Sequence, residues 1–391
     1  MLTGIVQIEV GDQHSMFLKQ DGSAWSTAPP SDTNGQFVEV ISSGATAVAV
    51  GTGFSIVLKQ DGSLWAMGRN HNGQLGDRNI VRKHHFGLVH NIPGALDVAA
   101  GARHSLVLTR EGAVWVAGWN MHGQLGIGST EESHKFLQAI STGVKALTAG
   151  GSHTLALQKD GSVWATGRNL NGQLGDGSRS DALCFVQVMS SGATGVTAGG
   201  EHSLVLKQDG SVWATGWNRY GQLGDGSTLD KLNYEQVVSS GAKAVAAGGR
   251  HSLILKQDGS VWATGNNEHG QLGDGLLYNI HIFTQVITDG VKAIAAGGYH
   301  SMVLKQDGTI WSTGWNQHGQ LGTNVKAPSK KFEKVLTFGE PLNNVTRFGD
   351  GSPPSHLHGS IFTTISVTAP PYAVHSLYLP VPSSACMFAF I

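Results

Sequence analysis

Hydrophobic and polar residues alternate over short stretches along most of this chain, as at residues 203–206 and 211–214. A two-residue period is typical of a β-strand that buries one face. No comparably long stretch shows the 3.6-residue period of an amphipathic helix. Asp209-Gly210 separates the two stretches, and Asp-Gly suits the positive backbone angles of a tight hairpin turn. The pattern predicts an all-β protein built from hairpins.

The hairpin unit recurs seven times. The four clearest copies read GGSHTLALQKDGSVWATG, GGEHSLVLKQDGSVWATG, GGRHSLILKQDGSVWATG and GGYHSMVLKQDGTIWSTG. Repeats of about 50 residues are typical of solenoids and propellers. Two further short apolar runs in each unit, such as residues 234–238 and 242–247, bring the number of predicted strands to four, which is one propeller blade. One tryptophan marks each copy, namely Trp25, Trp65, Trp115, Trp164, Trp213, Trp262 and Trp311.

Closure of the blades into a ring is expected, because an open row would leave sheet edges exposed. The seventh unit ends with residues 332–336, and no run equivalent to residues 242–247 follows. A run of that kind, GIVQIEV at residues 4–10, precedes the first unit instead. We therefore predict a single closed seven-bladed β-propeller over residues 1–337, in which the N-terminal strand completes the last blade.

Residues 338–391 form a separate segment without repeats. From residue 341 onward the chain contains seven of the eleven prolines and no tryptophan. Pro-rich sequence of this kind resists packing, which predicts a poorly ordered C-terminal tail. The alternative is a partner-binding peptide that ends in the apolar sequence MFAFI, and the sequence does not choose between the two.

Composition restricts the classes of partner. The formal net charge is −1 and 14% of the residues are charged, so no strong basic field favours nucleic acid. Cys184 and Cys386 are too few for a disulfide framework, and the N-terminus does not resemble a signal peptide. No run approaches the ~18 apolar residues of a membrane span. We expect a monomer in the cytosol or nucleus that binds another protein and no membrane.

Histidines and tryptophans recur in nearly every blade, and a row of histidines could be taken for a metal site. Their positions favour a structural role instead. Equivalent residues of different blades radiate apart, so a row of histidines does not form a tetrahedral metal site. We predict buried imidazoles bonded to the backbone, and tryptophans that pack blade against blade. These residues are His14, His104, His153, His202, His251 and His300, together with Trp115, Trp164, Trp213, Trp262 and Trp311.

Neither metal nor phosphate binding is expected at the G-Q-L-G-D segments. Asp77, Asp176, Asp225 and Asp274 lie there, but no Walker lysine and no alternating carboxylates of a calcium loop accompany them. Ser, His and Asp recur in every blade rather than in one asymmetric cluster, which argues against catalysis. The sequence predicts no catalytic residue, no metal and no cofactor.

The residues that differ between the repeats lie in the G-x-x-H and G-x-N loops. Strand alternation places both loops on one face of the ring, opposite the nearly invariant Lys-Gln-Asp-Gly turns. Tryptophan, tyrosine and arginine are the residue types that dominate interface hot spots. We therefore predict that this face binds a partner. The alternative is that Trp119, Trp217 and Trp315 only cover neighbouring loops. The face comprises Arg69, His71, Arg103, Trp119, His122, Arg168, Glu201, Trp217, Arg219, Tyr220, Arg250, His269, Tyr299, Trp315 and His318.

The pattern G-x-x-H-[ST]-L-x-L-x-x-D-G-x-V-W-x-x-G-x-N-x-x-G-Q-L-G is intact at residues 199–224 and 248–273. It resembles the repeat of the regulator of chromosome condensation family, and the resemblance spans about residues 4–336. It implies a seven-bladed β-propeller. Two places depart from the pattern: Phe54 stands where the histidine is expected, and residues 27–36 replace the long glycine loop with a shorter one containing proline.

Three functions follow as hypotheses. A protein-interaction scaffold is favoured, because it requires no catalytic chemistry on the propeller. The resemblance also implies guanine-nucleotide exchange on a Ran-type small GTPase, the activity of the family's founding member. That member carries an inserted hairpin wedge and a basic N-terminal arm, whereas the histidines here advance by 49 residues from His104 to His300 and the sequence starts at the first strand.

Light sensing is the third hypothesis, because a plant ultraviolet-B receptor shares the repeat. In that receptor the key tryptophans follow the glycine of the G-x-x-H turn. The chain has small residues at those places, which weighs against this function: Ala102, Gly151, Gly200, Gly249 and Gly298.

Overall fold

The computed structural model describes residues 4–27 and 35–335. These residues form 28 strands in seven four-stranded sheets, and no helix occurs among them. The prediction of a seven-bladed all-β propeller is confirmed. The predicted tail at residues 338–391 and most of the shortened loop at residues 27–36 lie outside the described residues.

Each sheet is one blade whose four strands follow one another along the chain and pair antiparallel. Blades 1 and 2 contain β1 (Ile5–Val10), β2 (Ser15–Lys19), β3 (Ala24–Ser26), β4 (Val38–Ile41), β5 (Ala45–Val50), β6 (Phe54–Lys59), β7 (Ser63–Gly68) and β8 (Lys83–Asn91). Blades 3 and 4 contain β9 (Ala95–Ala100), β10 (His104–Thr109), β11 (Val114–Gly118), β12 (Ser133–Ile140), β13 (Val144–Ala149), β14 (His153–Gln158), β15 (Val163–Gly167) and β16 (Ala182–Met189). Blades 5 to 7 contain β17 (Ala193–Ala198), β18 (His202–Lys207), β19 (Val212–Gly216), β20 (Lys231–Val238), β21 (Ala242–Ala247), β22 (His251–Lys256), β23 (Val261–Gly265), β24 (Ile280–Ile287), β25 (Val291–Ala296), β26 (His300–Lys305), β27 (Ile310–Gly314) and β28 (Ser329–Lys334).

The Asp-Gly hairpin turns form as the sequence predicts. In blade 5, Gly210 has a φ of 76°, a conformation that glycine adopts without steric cost. The backbone N–H of Ser211 donates to the Asp209 carboxylate at 2.9 Å. Hydrogen bonds from Ser211 hold the pKa of Asp209 below its ordinary value. The Asp209 side chain thus closes the turn.

The hydrophobic core lies between the blades rather than inside them. Between blades 3 and 4, for example, Leu106 and Leu108 pack with Val144 and Ala156, and Trp164 lies against the same cluster. Burial of this kind is the main favourable term in folding, at about 25 cal/mol per Å² of apolar surface. Every blade therefore depends on both of its neighbours.

The repeat tryptophans are half-buried at these interfaces. In blade 5, Trp213 packs at the interface with blade 4 and donates through its indole N–H to Ser211 Oγ at 3.1 Å. The ammonium of Lys207 lies 4.0 Å from the centre of its ring. In five of the seven blades, the Lys-x-Asp-Gly turn therefore supplies a cation–π partner as well as a hairpin.

The prediction for the N-terminal strand is wrong. β1 pairs with β2 in blade 1, and blade 7 is complete with β25 to β28. Only residues 11–14 connect β1 to β2, so the two strands form a hairpin, and the equivalent run at residues 242–247 likewise begins a blade instead of ending one. The ring closes by packing, because Ile5 and Ile8 of blade 1 share a cluster with Met302 and Leu304 of blade 7.

Among residues 4–27 and 35–335 there is no helix with the length and hydrophobicity of a transmembrane segment.

Candidate protein-docking face

The repeat histidines connect neighbouring blades through hydroxyl groups. His202 Nε2 lies 2.9 Å from Ser252 Oγ of the next blade, and Ser252 Oγ donates to the Gln222 carbonyl at 2.7 Å. Since the hydroxyl hydrogen is engaged by the carbonyl, the imidazole must be the donor. The partner is thus a side chain and not the backbone, which corrects the prediction. The same bond joins His14 to Ser55, His104 to Thr154, His153 to Ser203, His251 to Ser301, and His300 to Ser15.

Burial keeps these imidazoles neutral. Desolvation lowers the pKa of His14 and His104 to about 4, and that of His153, His202, His251 and His300 to about 3. Phe54 occupies the position of the repeat histidine in blade 2, at the interface of blades 2 and 3. There Ser105, the residue equivalent to Ser252, donates to the Gln74 carbonyl and needs no histidine. We assign these histidines to the framework and not to a site.

The asparagine of each G-x-N loop fixes the shape of that loop. Asn218 is fully buried, accepts from the Leu223 N–H at 3.0 Å, and donates to the Asp225 carboxylate at 2.9 Å. Asp77, Asp176 and Asp274 are bonded to their own loop asparagines in the same way. Across residues 4–27 and 35–335, no three histidine, cysteine, aspartate or glutamate side chains converge as a metal site.

The two kinds of variable loop meet on one face, as predicted. A backbone hydrogen bond joins them in each case: Trp119 N donates to Arg103 O at 2.9 Å, and Trp217 N donates to Glu201 O at 2.8 Å. Trp315 N donates to Tyr299 O at 2.9 Å. The variable residue of one loop is thereby placed beside that of the other.

Blades 5 to 7 bring seven of the predicted residues into one continuous group, which we call the aromatic arc. Trp217 contacts Tyr220 with a centroid distance of 5.3 Å, and Tyr299 contacts Trp315 at 6.0 Å. The Arg250 guanidinium lies between them, 5.6 Å from the Trp217 ring and 5.7 Å from the Tyr299 ring. His269 contacts Tyr299 and Trp315, and His318 contacts Trp315, so the arc comprises Trp217, Tyr220, Arg250, His269, Tyr299, Trp315 and His318.

A smaller group lies on blade 3. Trp119 contacts His122 at a centroid distance of 5.4 Å, and the Arg103 guanidinium lies 5.3 Å from the Trp119 ring. His122 Nδ1 lies 2.7 Å from the Asp181 carboxylate of blade 4. Trp119, Trp217 and Trp315 are each half-buried against these neighbours, so they cover loops and also present ring surface to solvent.

The remaining predicted residues are not part of either group. Arg168 and Glu201 form an ion pair at 2.6 Å, and Asn171 also donates to Glu201. Arg69, His71 and Arg219 are exposed. Arg69 lies over the Gly53 turn, where a Cβ on the glycine would be 3.0 Å from the arginine side chain.

The aromatic arc borders the mouth of the central channel. A cavity of about 400 Å³ opens there, lined mainly by the glycine turns of all seven blades and on one side by Glu201, Trp217, Arg250 and Tyr299. The turns approach so closely that a Cβ on Gly200 would be 2.5 Å from the Gly249 carbonyl oxygen. The paired glycines of the G-G-x-H turns are the sequence signal for this mouth, which sequence reasoning missed.

A second cavity, of about 270 Å³, lies within the channel and contains a titratable pair that sequence reasoning also missed. Burial raises the pKa of Glu9 to about 7, opposed by the hydrogen bond from Gln7 at 3.0 Å and aided by the charge of Asp97. The sequence signal for this pair is the acidic residue inside each of the apolar runs GIVQIEV and ALDVAA.

Known families account for this architecture. A model described as an RCC1-like domain matches residues 1–239, and models of the Regulator of chromosome condensation (RCC1) repeat match residues 242–271, 291–320 and 258–304. The chain belongs to the RCC1-like family. This confirms the resemblance seen in the repeats. No curated protein sequence matches the chain.

Several solved structures share this fold. Human WBSCR16 is 24% identical with a TM-score of 0.70, and the match covers 79% of this chain and 86% of that one. Prp20p of Saccharomyces cerevisiae, crystallised in a study that also treats its binding to Gsp1p and histones, is 20% identical with a TM-score of 0.68 and coverage of 78% and 84%. Yeast RCC1 (Prp20) bound to Kap60 is 21% identical with a TM-score of 0.67 and coverage of 74% for both chains. At these identities the common property is the fold.

Proposed function

We propose that this RCC1-like propeller is a protein-interaction scaffold that holds a partner on the face of the G-x-N and G-x-x-H loops. The aromatic arc is the observation that carries the proposal. It presents two tryptophans, two tyrosines and an arginine as one group on rigid turns, and these residue types dominate the binding energy of interfaces. The recurring histidines and aspartates are engaged in the framework, which leaves the variable loops as the source of specificity. The cytosol or nucleus is the compartment we assign to it.

The test replaces Trp119, Trp217 and Trp315 together with alanine. We expect the variant to fold and to lose capture of the partner that wild type retains in a cross-linked pull-down from native extract, measured by quantitative mass spectrometry. The matched control changes Arg110, Glu111 and Lys159 to alanine in the hairpin turns of the opposite face. Equal capture by wild type and the tryptophan variant would contradict the proposal, as would loss of capture in the control alone.

Nucleotide exchange on a Ran-type small GTPase is the second candidate. It is favoured by family membership and by the fold shared with Prp20p, for which binding to Gsp1p is described. Within the described residues, His104 to His300 recur without an inserted hairpin, and the aromatic arc is the prominent feature of the face. We therefore expect no acceleration of fluorescent GDP release from such a GTPase. Acceleration that the triple tryptophan variant lacks would instead establish exchange.

A further inference from the structure

We propose that the channel mouth beside Arg250 binds a carboxylate side chain from an acidic segment of the partner protein. This inference rests on the proposed function and specifies the chemistry of the partner. Arg250 lies on the β21–β22 turn and contributes to the wall of the 400 Å³ cavity together with Trp217 and Tyr299.

The guanidinium is held in place by three aromatic rings. Its central carbon lies 5.2 Å from the Tyr220 ring centre, in addition to the contacts with Trp217 and Tyr299. Arg250 also donates to the Tyr220 hydroxyl at 3.2 Å. A guanidinium has five N–H donors, and the other four have no hydrogen-bond partner in the part of the chain that the structure describes. An arginine fixed in this way can bind a carboxylate through two parallel hydrogen bonds with little loss of entropy.

The variable loops carry arginines that have no ion-pair partner, which favours binding of an anion on this face. Arg69, Arg103, Arg219 and Arg250 all lie on the variable loops, and none of them forms an ion pair within residues 4–27 and 35–335. The Glu201 carboxylate is already neutralised by Arg168. An acidic partner segment would therefore meet complementary charge, which speeds association and fixes orientation.

The carboxylate that remains at the mouth favours a carboxylate ligand over a phosphate group. Asp12 lines the mouth together with Arg250, so a dianionic phosphate placed at Arg250 would be repelled by the Asp12 carboxylate more strongly than a singly charged carboxylate would be. The net charge of −1 provides no general attraction for nucleic acid. An aspartate or glutamate of a protein carries one negative charge and suits the single guanidinium.

The experiment measures fluorescence polarisation of labelled peptides with the full chain. The probes are octaglutamate, octaglutamine, an octapeptide with four phosphoserines, and a twelve-nucleotide oligo-dT. We expect octaglutamate to bind more tightly than the other three, with an affinity that falls as salt is raised. Arg250→Ala should weaken octaglutamate binding at least tenfold and Arg250→Lys should restore part of it, because lysine keeps the charge but loses the planar pair of donors.

Arg110→Ala, on the opposite face, is the control and should bind like wild type. Equal affinity for octaglutamate and octaglutamine, no effect of Arg250→Ala in a variant that melts like wild type, or preference for the phosphopeptide or oligo-dT would each overturn this inference. Failure here is distinguishable from failure of the scaffold function. If the triple tryptophan variant loses the native partner while Arg250→Ala retains it, the face binds protein but not through an acidic segment.

Discussion

The free energy of unfolding should fall steeply as the pH is lowered from about 6.5 to 4.5, because of the six buried histidines. In the unfolded chain each imidazole has its ordinary pKa of 6.5, whereas in the folded protein desolvation lowers the pKa to about 3 or 4. In this range the unfolded state binds protons that the folded state does not. Stability is therefore fully present above pH 6.5 and is lost below it, by up to about 1.4 kcal/mol per pH unit for each histidine.

Glu9 and the turn aspartates also change the stability with pH. Glu9 acts in the opposite direction, because its folded pKa of about 7 lies above its ordinary 4.5, so protonation of this one group favours the folded state as the pH falls. The turn aspartates, such as Asp209, have lowered pKa values and reduce stability only below about pH 4. The measurement is thermal melting followed by circular dichroism between pH 7.5 and 4.5.

A matched variant isolates the histidine contribution. His202→Phe reproduces what the chain already contains at Phe54, and Ser252 keeps its bond to the Gln222 carbonyl. We expect the variant to fold and to lose less melting temperature per pH unit than wild type, since one proton fewer is taken up on unfolding. A melting temperature that stays constant from pH 7.5 to 4.5 would show that the imidazoles are not held neutral.

The repeat pattern predicts the blades but not where each blade begins. Alternation and the Asp-Gly turns identify four strands per repeat, and the structure contains them. A repeat read along a sequence has no natural starting point, so β1 could be assigned to the first or the last blade. The four-residue connection between β1 and β2 decides the matter, because it permits a tight hairpin as in the other six blades.

The sequence also predicts which face varies, but not how its side chains associate. Trp217 and Trp315 occur in alternate blades, which suggests that they are far apart. Arg250 and Tyr299 connect them, and each comes from a different turn. Such contacts depend on the spacing between blades and on the rotamers chosen, and neither is encoded in the period of the pattern. The hydroxyl partner of each histidine was missed for the same reason, since it lies 50 residues away in most blades.

The framework and the face are thus separate sets of residues within the same loops. Asn218 fixes the loop from inside, while Trp217 and Tyr220 of that loop belong to the aromatic arc. The residue next to a framework histidine is free to vary in the same way, as Glu201 and Arg250 show. A rigid support beneath variable side chains reduces the entropy lost on binding, which suits a docking surface.

Gly216→Ala should destabilise the propeller by more than about 4 kcal/mol, because this glycine lies where the two variable loops meet. Its φ is 105°, and a Cβ there would be 2.6 Å from the Glu201 carbonyl oxygen and 2.7 Å from the His202 Cα. Both atoms belong to backbone that the Trp217 hydrogen bond holds in place, so they cannot give way without separating β18 from β19. The substitution would therefore disturb the framework histidine and the docking face together.

Gly192→Ala is the matched control for that substitution. Gly192 also has a positive φ, of 83°, but a Cβ there would meet nothing within 4 Å. It should cost only the ~1–2 kcal/mol of a left-handed conformation in a residue with a side chain. Chemical denaturation of both variants gives the comparison. Equal losses of unfolding free energy would mean that the backbone angle alone sets the cost, and that the close contact of the two loops at Gly216 contributes nothing to the stability of the ring.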